Sequence, residues 1–223
     1  MIFGQHGNAE VSGSTAARIT EAVGARGIPT VLVAPRGPLA LERGDLVLCT
    51  GYTEAAELFA ALRETVPWQH DELVIAGKRL VTARQVAWFG DREKAYHYSG
   101  ATKLAQPWTP LLTQVKERVE AAVGSPFNAC LLNLYMSGDE GMSWHSDDEG
   151  ALGRLPTIAS LSLGATRRFD FRHKGDRRKV SLMLEGGQLI VMTGATQHHW
   201  EHALPKTKRV RTPRINLTFR KAG

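Results

Sequence analysis

Cysteine is nearly absent: the 223 residues contain two, Cys49 and Cys130, at no spacing that builds a disulfide framework or a thiolate zinc site. A reducing compartment is therefore expected. No apolar run approaches the ~18 residues of a membrane span, and the opening MIFGQHGNAE lacks the basic and apolar stretches of a secretory leader. The chain reads as cytoplasmic, without membrane attachment. Internal repeats and low-complexity tracts are also missing. A hydrophobic fraction of 43% and a charged fraction of 22% exclude disorder as the main description. The length suits one domain with an extension and disfavours two catalytic domains.

What is present is an uneven charge. Residues 165–223 carry 14 Lys/Arg against 4 Asp/Glu, a net +10, whereas residues 1–164 carry 14 against 18, a net −4. A basic C-terminal part suits a polyanionic partner, because Lys and Arg displace counterions from phosphates. A surface that merely aids solubility would look the same.

Three regions separate along the chain. Residues 1–52 are rich in Gly, Ala and Pro, with a short helix expected over 15–25, and read as an N-terminal extension. From Thr53, a candidate N-cap, Leu58, Phe59, Leu62 and Val66 recur at helical spacing until Pro67. A second helix is framed by Thr109 as cap, Pro110 at its first position, an apolar face of Leu111, Leu112, Val115, Val119 and Ala122, and Gly124 as stop. Beyond Pro126, short β-forming runs at 128–135, 157–163, 168–172, 180–184, 188–192 and 214–219 alternate with turn residues. This pattern predicts an α+β domain over 53–223. Its core, 125–223, is expected to be a double-stranded β-helix of jelly-roll or cupin-like form, with supporting helices from upstream.

The chemistry gathers at a few places. In Trp144-His145-Ser146-Asp147 an imidazole and a carboxylate at i and i+2 can reach one metal from an extended backbone. A third ligand is expected from His198-His199-Trp200-Glu201-His202. Two His and one carboxylate suit a non-haem Fe(II) oxygenase, and zinc hydrolases use similar sets. On residues 214–220 the period of two puts Arg214, Asn216, Thr218 and Arg220 on one face and Ile215, Leu217 and Phe219 on the other. Asn133 and Tyr135 repeat the alternation. Two polar-faced strands beside a metal motif suggest a polar interior that holds a small dicarboxylate. Arg214 and Arg220 are roughly 20 Å apart along a strand, so only one can anchor its far end, leaving the other near the metal or its ligands.

In combination, Asn-Leu-Tyr at 133–135, His-Ser-Asp-Asp-Glu at 145–149, Ser-Leu-Gly at 162–164, Phe-Arg-His-Lys at 171–174, His-Ala-Leu-Pro at 202–205 and Pro-Arg-Ile-Asn-Leu-Thr-Phe-Arg at 213–220 resemble the AlkB-type Fe(II)- and 2-oxoglutarate-dependent dioxygenases. The resemblance covers about residues 70–223. It implies iron ligands His145, Asp147 and His202, and 2-oxoglutarate held by Asn133, Tyr135, Arg214, Asn216 and Arg220, with Arg214 on the distal carboxylate. Leu134 stands where many members have Arg. The resemblance also implies a base-recognition lid over 71–100, with Tyr96 and Tyr98 against an extruded base, and Asp148 and Glu149 favouring cationic lesions such as 1-methyladenine and 3-methylcytosine.

The implied activity is oxidative dealkylation of DNA or RNA bases. It would consume O2, convert 2-oxoglutarate to succinate and release formaldehyde. Arg167, Arg168, Arg172, Lys174, Arg177, Arg178 and Lys179, with Lys206, Lys208 and Arg209, are candidates for the phosphate backbone. The expected form is a monomer that prefers single-stranded substrate, because the tip of the hairpin at 73–81 offers only Ile75 and Ala76 as a wedge. A dioxygenase acting on protein or a small molecule, and a catalytically silent nucleic-acid-binding module, are the alternatives.

Overall fold

A computed structural model describes residues 45–49, 54–75, 78–91, 95–98, 101–148 and 150–221. The helix expected over 15–25 lies outside them. The strands are β1 (Asp45–Cys49), β2 (Gln69–Ile75), β3 (Lys78–Gly90), β4 (Ala95–Tyr98), β5 (Ala101–Leu104), β6 (Gln106–Pro107), β7 (Ala129–Tyr135), β8 (Met142–His145), β9 (Ile158–Gly164), β10 (Arg167–His173), β11 (Lys179–Leu184), β12 (Leu189–Thr193), β13 (Trp200–Leu204) and β14 (Arg214–Arg220). The helices are α1 (Ala55–Thr65), α2 (Pro110–Val123) and the single turn α3 (Thr196–His199). None of the described helices is long and apolar enough to cross a membrane.

Strands β7 to β14 divide equally between two antiparallel sheets, β12-β9-β14-β7 and β11-β10-β13-β8. Only β10 and β11 are successive strands of one sheet, so at every other step the chain crosses between layers. That is the expected double-stranded β-helix. The first of these sheets is enlarged on both sides, by β3 and β2 next to β7 and by β1 next to β12. Residues 45–49, assigned from sequence to the extension, thus form an edge strand of the main sheet, in register from Asp45 opposite Thr193 to Cys49 opposite Leu189. Strands β4 and β5 form a separate hairpin.

The larger sheet is buried on both faces for different reasons. Outward from the barrel, Leu132, Leu134, Leu161, Leu163, Ile215, Leu217 and Phe219 pack with Leu58 and Leu62 of α1 and Leu112, Val115 and Val119 of α2. Inward, Val86, Trp88, Leu131, Ile158, Ile190 and Met192 meet Phe171, Val180, Leu184 and Trp200 of the smaller sheet. The alternation on β14 is therefore no solvent-facing pattern. All seven of its residues are buried, and the polar ones face the interior.

The sequence signals for α2 hold in detail. The Thr109 hydroxyl accepts from the backbone N–H of Leu112, Pro110 begins the helix, and Gly124 ends it in the left-handed region at φ 71°, where glycine carries no Cβ penalty. Helix α1 begins at Ala55 behind Glu54, with no side-chain cap, and Thr53 lies outside the described residues. Leu217→Ala should cost about 2–5 kcal/mol, since it hollows the layer beneath both helices, whereas Thr109→Ala should cost about 1 kcal/mol. Urea unfolding midpoints of the two variants against the parent protein check this ranking.

Candidate metal centre and cosubstrate cavity

Strands β8 and β13 pair antiparallel, with His145 directly opposite His202. Opposed residues on neighbouring strands point to the same face, so the pairing alone brings two imidazoles together. Their ring centroids are 4.3 Å apart, edge to face. Past the end of β8 the chain turns inward at Asp147, whose Oδ2 lies 3.8 Å from His202 Nε2. One ligand atom from each of the three residues falls within 4.8 Å of the others.

The surroundings fix how these groups can act. His145 Nδ1 lies 2.7 Å from the carbonyl oxygen of Ser143. A carbonyl only accepts, so Nδ1 is the nitrogen that donates there, which leaves Nε2 as the nitrogen placed to meet a metal. Burial, reinforced by His145, pushes the His202 pKa down to about 3 and leaves its imidazole neutral. Burial would raise the pKa of Asp147, but Arg220, His202 and His145 together hold it below the ordinary carboxylate value. Arg220 reaches across from β14 to donate to Asp147 Oδ1 at 2.6 Å. The backbone N–H of Asp147 donates to Gln197 Oε1 at 2.9 Å, and Ser146 Oγ donates to the Trp200 carbonyl. Two imidazoles and an ionised carboxylate form a donor set that fits a divalent metal with open positions.

From this triad a cavity runs between the sheets. Leu131, Asn133, Tyr135, Met142, Ser160, Phe169, Met192, Leu204, Arg214, Asn216, Thr218 and Arg220 line it. At the end of β14 remote from Arg220, Arg214 is buried and donates to Ser162 Oγ at 2.9 Å. Its Nε has no hydrogen-bond partner, and among the described residues no carboxylate pairs with it. Burial lowers its pKa to about 10, so it stays cationic at neutral pH. The Tyr135 ring lies under its guanidinium at 5.7 Å, and burial raises the pKa of the Tyr135 hydroxyl, which remains protonated.

The chain from residue 39 to 220 matches the model of the 2OG-Fe(II) oxygenase superfamily. It belongs to that superfamily. Within it the chain is of the AlkB type. It is 42% identical over 186 residues to the alpha-ketoglutarate-dependent dioxygenase alkB homolog 3 of Bos taurus, an alignment covering 78% of this chain and 64% of the relative. To the DNA oxidative demethylase ALKBH2 of Homo sapiens it is 39% identical over 182 residues, covering 77% and 70%. The chain thus spans a little under two thirds of the bovine alkB homolog 3. A solved oxidoreductase of the 2OG-Fe(II) oxygenase family from Burkholderia pseudomallei shares the fold, with a TM-score of 0.55 and 14% identity over 98% of this chain and 92% of that one. Iron, 2-oxoglutarate and O2 are the cofactor and cosubstrates of the superfamily, and the triad and the buried Arg214 are the features of this chain that fit them.

Of the residues expected at the cosubstrate, Asn133, Tyr135, Arg214, Asn216 and Arg220 all line the cavity, and they differ in the partners they already hold. Arg220 gives its Nη2 to Asp147, and so lies at a ligand of the metal set, as the distance between the two arginines required of one of them. The Asn216 amide donates to Ser160 Oγ and the Leu161 carbonyl and accepts from Thr218 Oγ1, so it braces the β14–β9 pairing beside the cavity. His198 and His199 sit on α3, away from the triad, with His198 Nε2 on the Arg154 carbonyl and His199 stacked on His173. Sequence reading missed Ser160, Ser162 and Gln197. The two serines carried a signal, the same period-two alternation with Leu161 and Leu163, but Gln197 carried none.

One backbone-contact expectation is corrected. Arg167 is 1% exposed, and its guanidinium donates to the carbonyls of Ser137, Glu140 and Pro205, tying the loop after β7 to the end of β13. It cannot reach a phosphate. Arg172 is largely covered, paired with Glu201 through Nε and Nη2 and stacked over Trp144 at 4.1 Å. Arg168, Arg177, Lys179, Lys206, Lys208 and Arg209 are exposed. Lys174 donates to the Gln197 carbonyl and meets Asp148 at 3.4 Å, and Arg178 pairs with Asp176. Glu149 and the side chains of Tyr96 and Tyr98 lie outside the described residues; the β4 backbone pairs Tyr96 with Lys103 and Tyr98 with Ala101.

Retention of Fe(II) or Mn(II), read by metal analysis after gel filtration, should be lost in His202→Ala and kept in His198→Ala and His199→Ala. All three variants should keep the circular dichroism of the parent protein.

Proposed function

We propose that this protein is an Fe(II)- and 2-oxoglutarate-dependent dioxygenase that removes alkyl groups oxidatively from DNA bases such as 1-methyladenine and 3-methylcytosine, with RNA a further substrate. The observation that carries the reading is the pairing, along one strand, of two buried arginines with unlike partners. Arg220 meets the carboxylate of the metal triad, and among the described residues Arg214 meets none. A buried cation without an anion is costly, and a cosubstrate with a carboxylate at its far end relieves that cost. The spacing suits a small dicarboxylate whose other end lies at His145, Asp147 and His202.

Bound iron and 2-oxoglutarate would supply the O2 activation that hydroxylates the alkyl carbon, which leaves a methylated base as formaldehyde while 2-oxoglutarate becomes succinate and CO2. The protein's share is placement. Arg214 and Tyr135 orient the distal carboxylate, Arg220 and Gln197 hold Asp147, and Phe169, Met142 and Leu204 keep water from the cavity. For the base, Tyr96 and Tyr98 on β4 supply stacking surface, and Asp148 with Glu149 favours a cationic lesion. The relatives named as DNA oxidative demethylase and alkB homolog support the choice of substrate. So does the exposed basic set of Arg168, Arg177, Lys179, Lys206, Lys208 and Arg209, which suits a phosphate backbone.

Formaldehyde and succinate should form from a methylated oligonucleotide only with Fe(II), 2-oxoglutarate and O2 present; succinate without formaldehyde would point to another substrate. Arg214→Ala should raise the 2-oxoglutarate requirement by up to about 100-fold, the loss of a charge-assisted bidentate contact of about 3 kcal/mol, with Lys restoring only part. Single-stranded substrate should turn over faster than duplex carrying the same lesion. Ile75 pairs with Lys78, and neither Ile75 nor Ala76 offers an aromatic wedge. Initial rates on matched oligonucleotides at one salt concentration measure this, and a duplex preference would overturn it.

A further inference from the structure

Behind Asn133 lies a buried ion pair that none of the chemistry above uses. Arg84 of β3 is 6% exposed and Asp71 of β2 is 2% exposed, and Arg84 Nη2 meets Asp71 Oδ2 at 3.1 Å. The pair is set up by an irregularity in the hairpin. The β2–β3 register shifts between His70 and Glu72, at Asp71. The Asp71 N–H donates to Thr82 Oγ1, which itself donates to the Arg84 carbonyl. A bulge re-aims a side chain, and here it turns an acidic group into the sheet interior to meet the arginine. Buried ion pairs bring little net stability compared with apolar residues of similar volume, so stability alone does not account for this one.

The guanidinium has a second contact. Arg84 Nε donates to Asn133 Oδ1 at 3.0 Å. Arginine has donors and no acceptor, so the Asn133 atom facing it must be the carbonyl oxygen, and the amide cannot flip without setting N–H against N–H. The Nδ2 group is then the face that Asn133 can present to the cavity it lines. Every polar atom of 2-oxoglutarate is an acceptor. The geometry points to Arg84 as a positioning residue for the cosubstrate: held by Asp71, it locks the Asn133 amide so that Nδ2 is offered to a 2-oxoglutarate oxygen. Released from Arg84, the amide would also sample the flipped state, with its oxygen turned against an oxygen of the ligand. Because Asp71 and Arg84 belong to β2 and β3, the lock also ties the cosubstrate side of the cavity to the hairpin beside it. The inference rests on Asn133 as a 2-oxoglutarate residue.

The test is calorimetric titration of 2-oxoglutarate into the Mn(II)-loaded protein, which needs no turnover, beside kcat and KM with Fe(II). Arg84→Lys keeps a cation for Asp71 but cannot serve both partners. It should weaken 2-oxoglutarate binding about tenfold, the scale of one lost hydrogen bond, and raise KM with kcat little changed. In an Asn133→Ala background the same substitution should cost less than about twofold, because its effect is transmitted through the amide. Arg84→Met combined with Asp71→Leu removes both charges, avoids stranding a carboxylate, and should reproduce the tenfold loss in a protein whose melting temperature is preserved. Equal losses from Arg84→Lys with and without Asn133 would overturn the lock, as would unchanged affinity in Arg84→Lys while Asn133→Ala binds weakly. If Asn133→Ala itself binds 2-oxoglutarate normally, the assignment of Asn133 fails and the lock with it, while the activity assay still judges the proposed reaction independently.

Discussion

A guanidinium from one sheet grips a carboxylate from the loop at the end of the other, and the centre of this protein depends on that contact. Arg220 on β14 and Asp147 just past β8 are both almost fully buried and meet at 2.6 Å. Without the arginine, burial would favour the protonated carboxyl, which is a poor metal ligand. With it, the carboxylate stays ionised in a site where the neighbouring imidazole of His202 stays neutral. The contact also spans the interior, so the layer that carries the histidines and the layer that carries the polar cavity wall are joined where the metal set is assembled.

The remaining polar interior follows from that division. Three inward-facing polar positions of β7, β9 and β14 have distinct partners: Asn133 faces Arg84, Ser162 faces Arg214, and Asn216 is bracketed by Ser160, Leu161 and Thr218. A barrel interior with this many polar atoms remains stable because its outward side is almost wholly apolar and covered by α1 and α2. Polar function and hydrophobic stability thus occupy opposite faces of the same strands.

This division is also why much of the site was legible in the sequence. The alternation of Arg214, Asn216, Thr218 and Arg220 with Ile215, Leu217 and Phe219 encodes both faces at once, and His-x-Asp needs only three residues to state its chemistry. Thr109, Pro110 and Gly124 marked α2 because capping is local. The strands β8 and β13, which carry the histidines, were not read as strands; four and five residues with Trp, His and Glu hold no clean alternation. Their pairing is a long-range fact, as is the meeting of Arg84 with Asn133 across 49 positions of sequence. Arg167 misled for a related reason: a basic run reads as surface, and nothing local tells which member turns inward to satisfy three carbonyls.

The edge strand β1 has a consequence for how the chain can be handled. It occupies the free side of β12, whose five residues Leu-Ile-Val-Met-Thr are all buried, apolar for the most part and rich in strand formers. If the chain were trimmed to residue 53, a boundary that composition suggests, the barrel would keep its triad and cavity but expose a flat row of unpaired N–H and C=O groups on an apolar strand. Such an edge recruits strands from other molecules. The five residues of β1 therefore act as a built-in guard against self-association, and a fragment lacking them would fail by aggregation before any loss of chemistry could be seen.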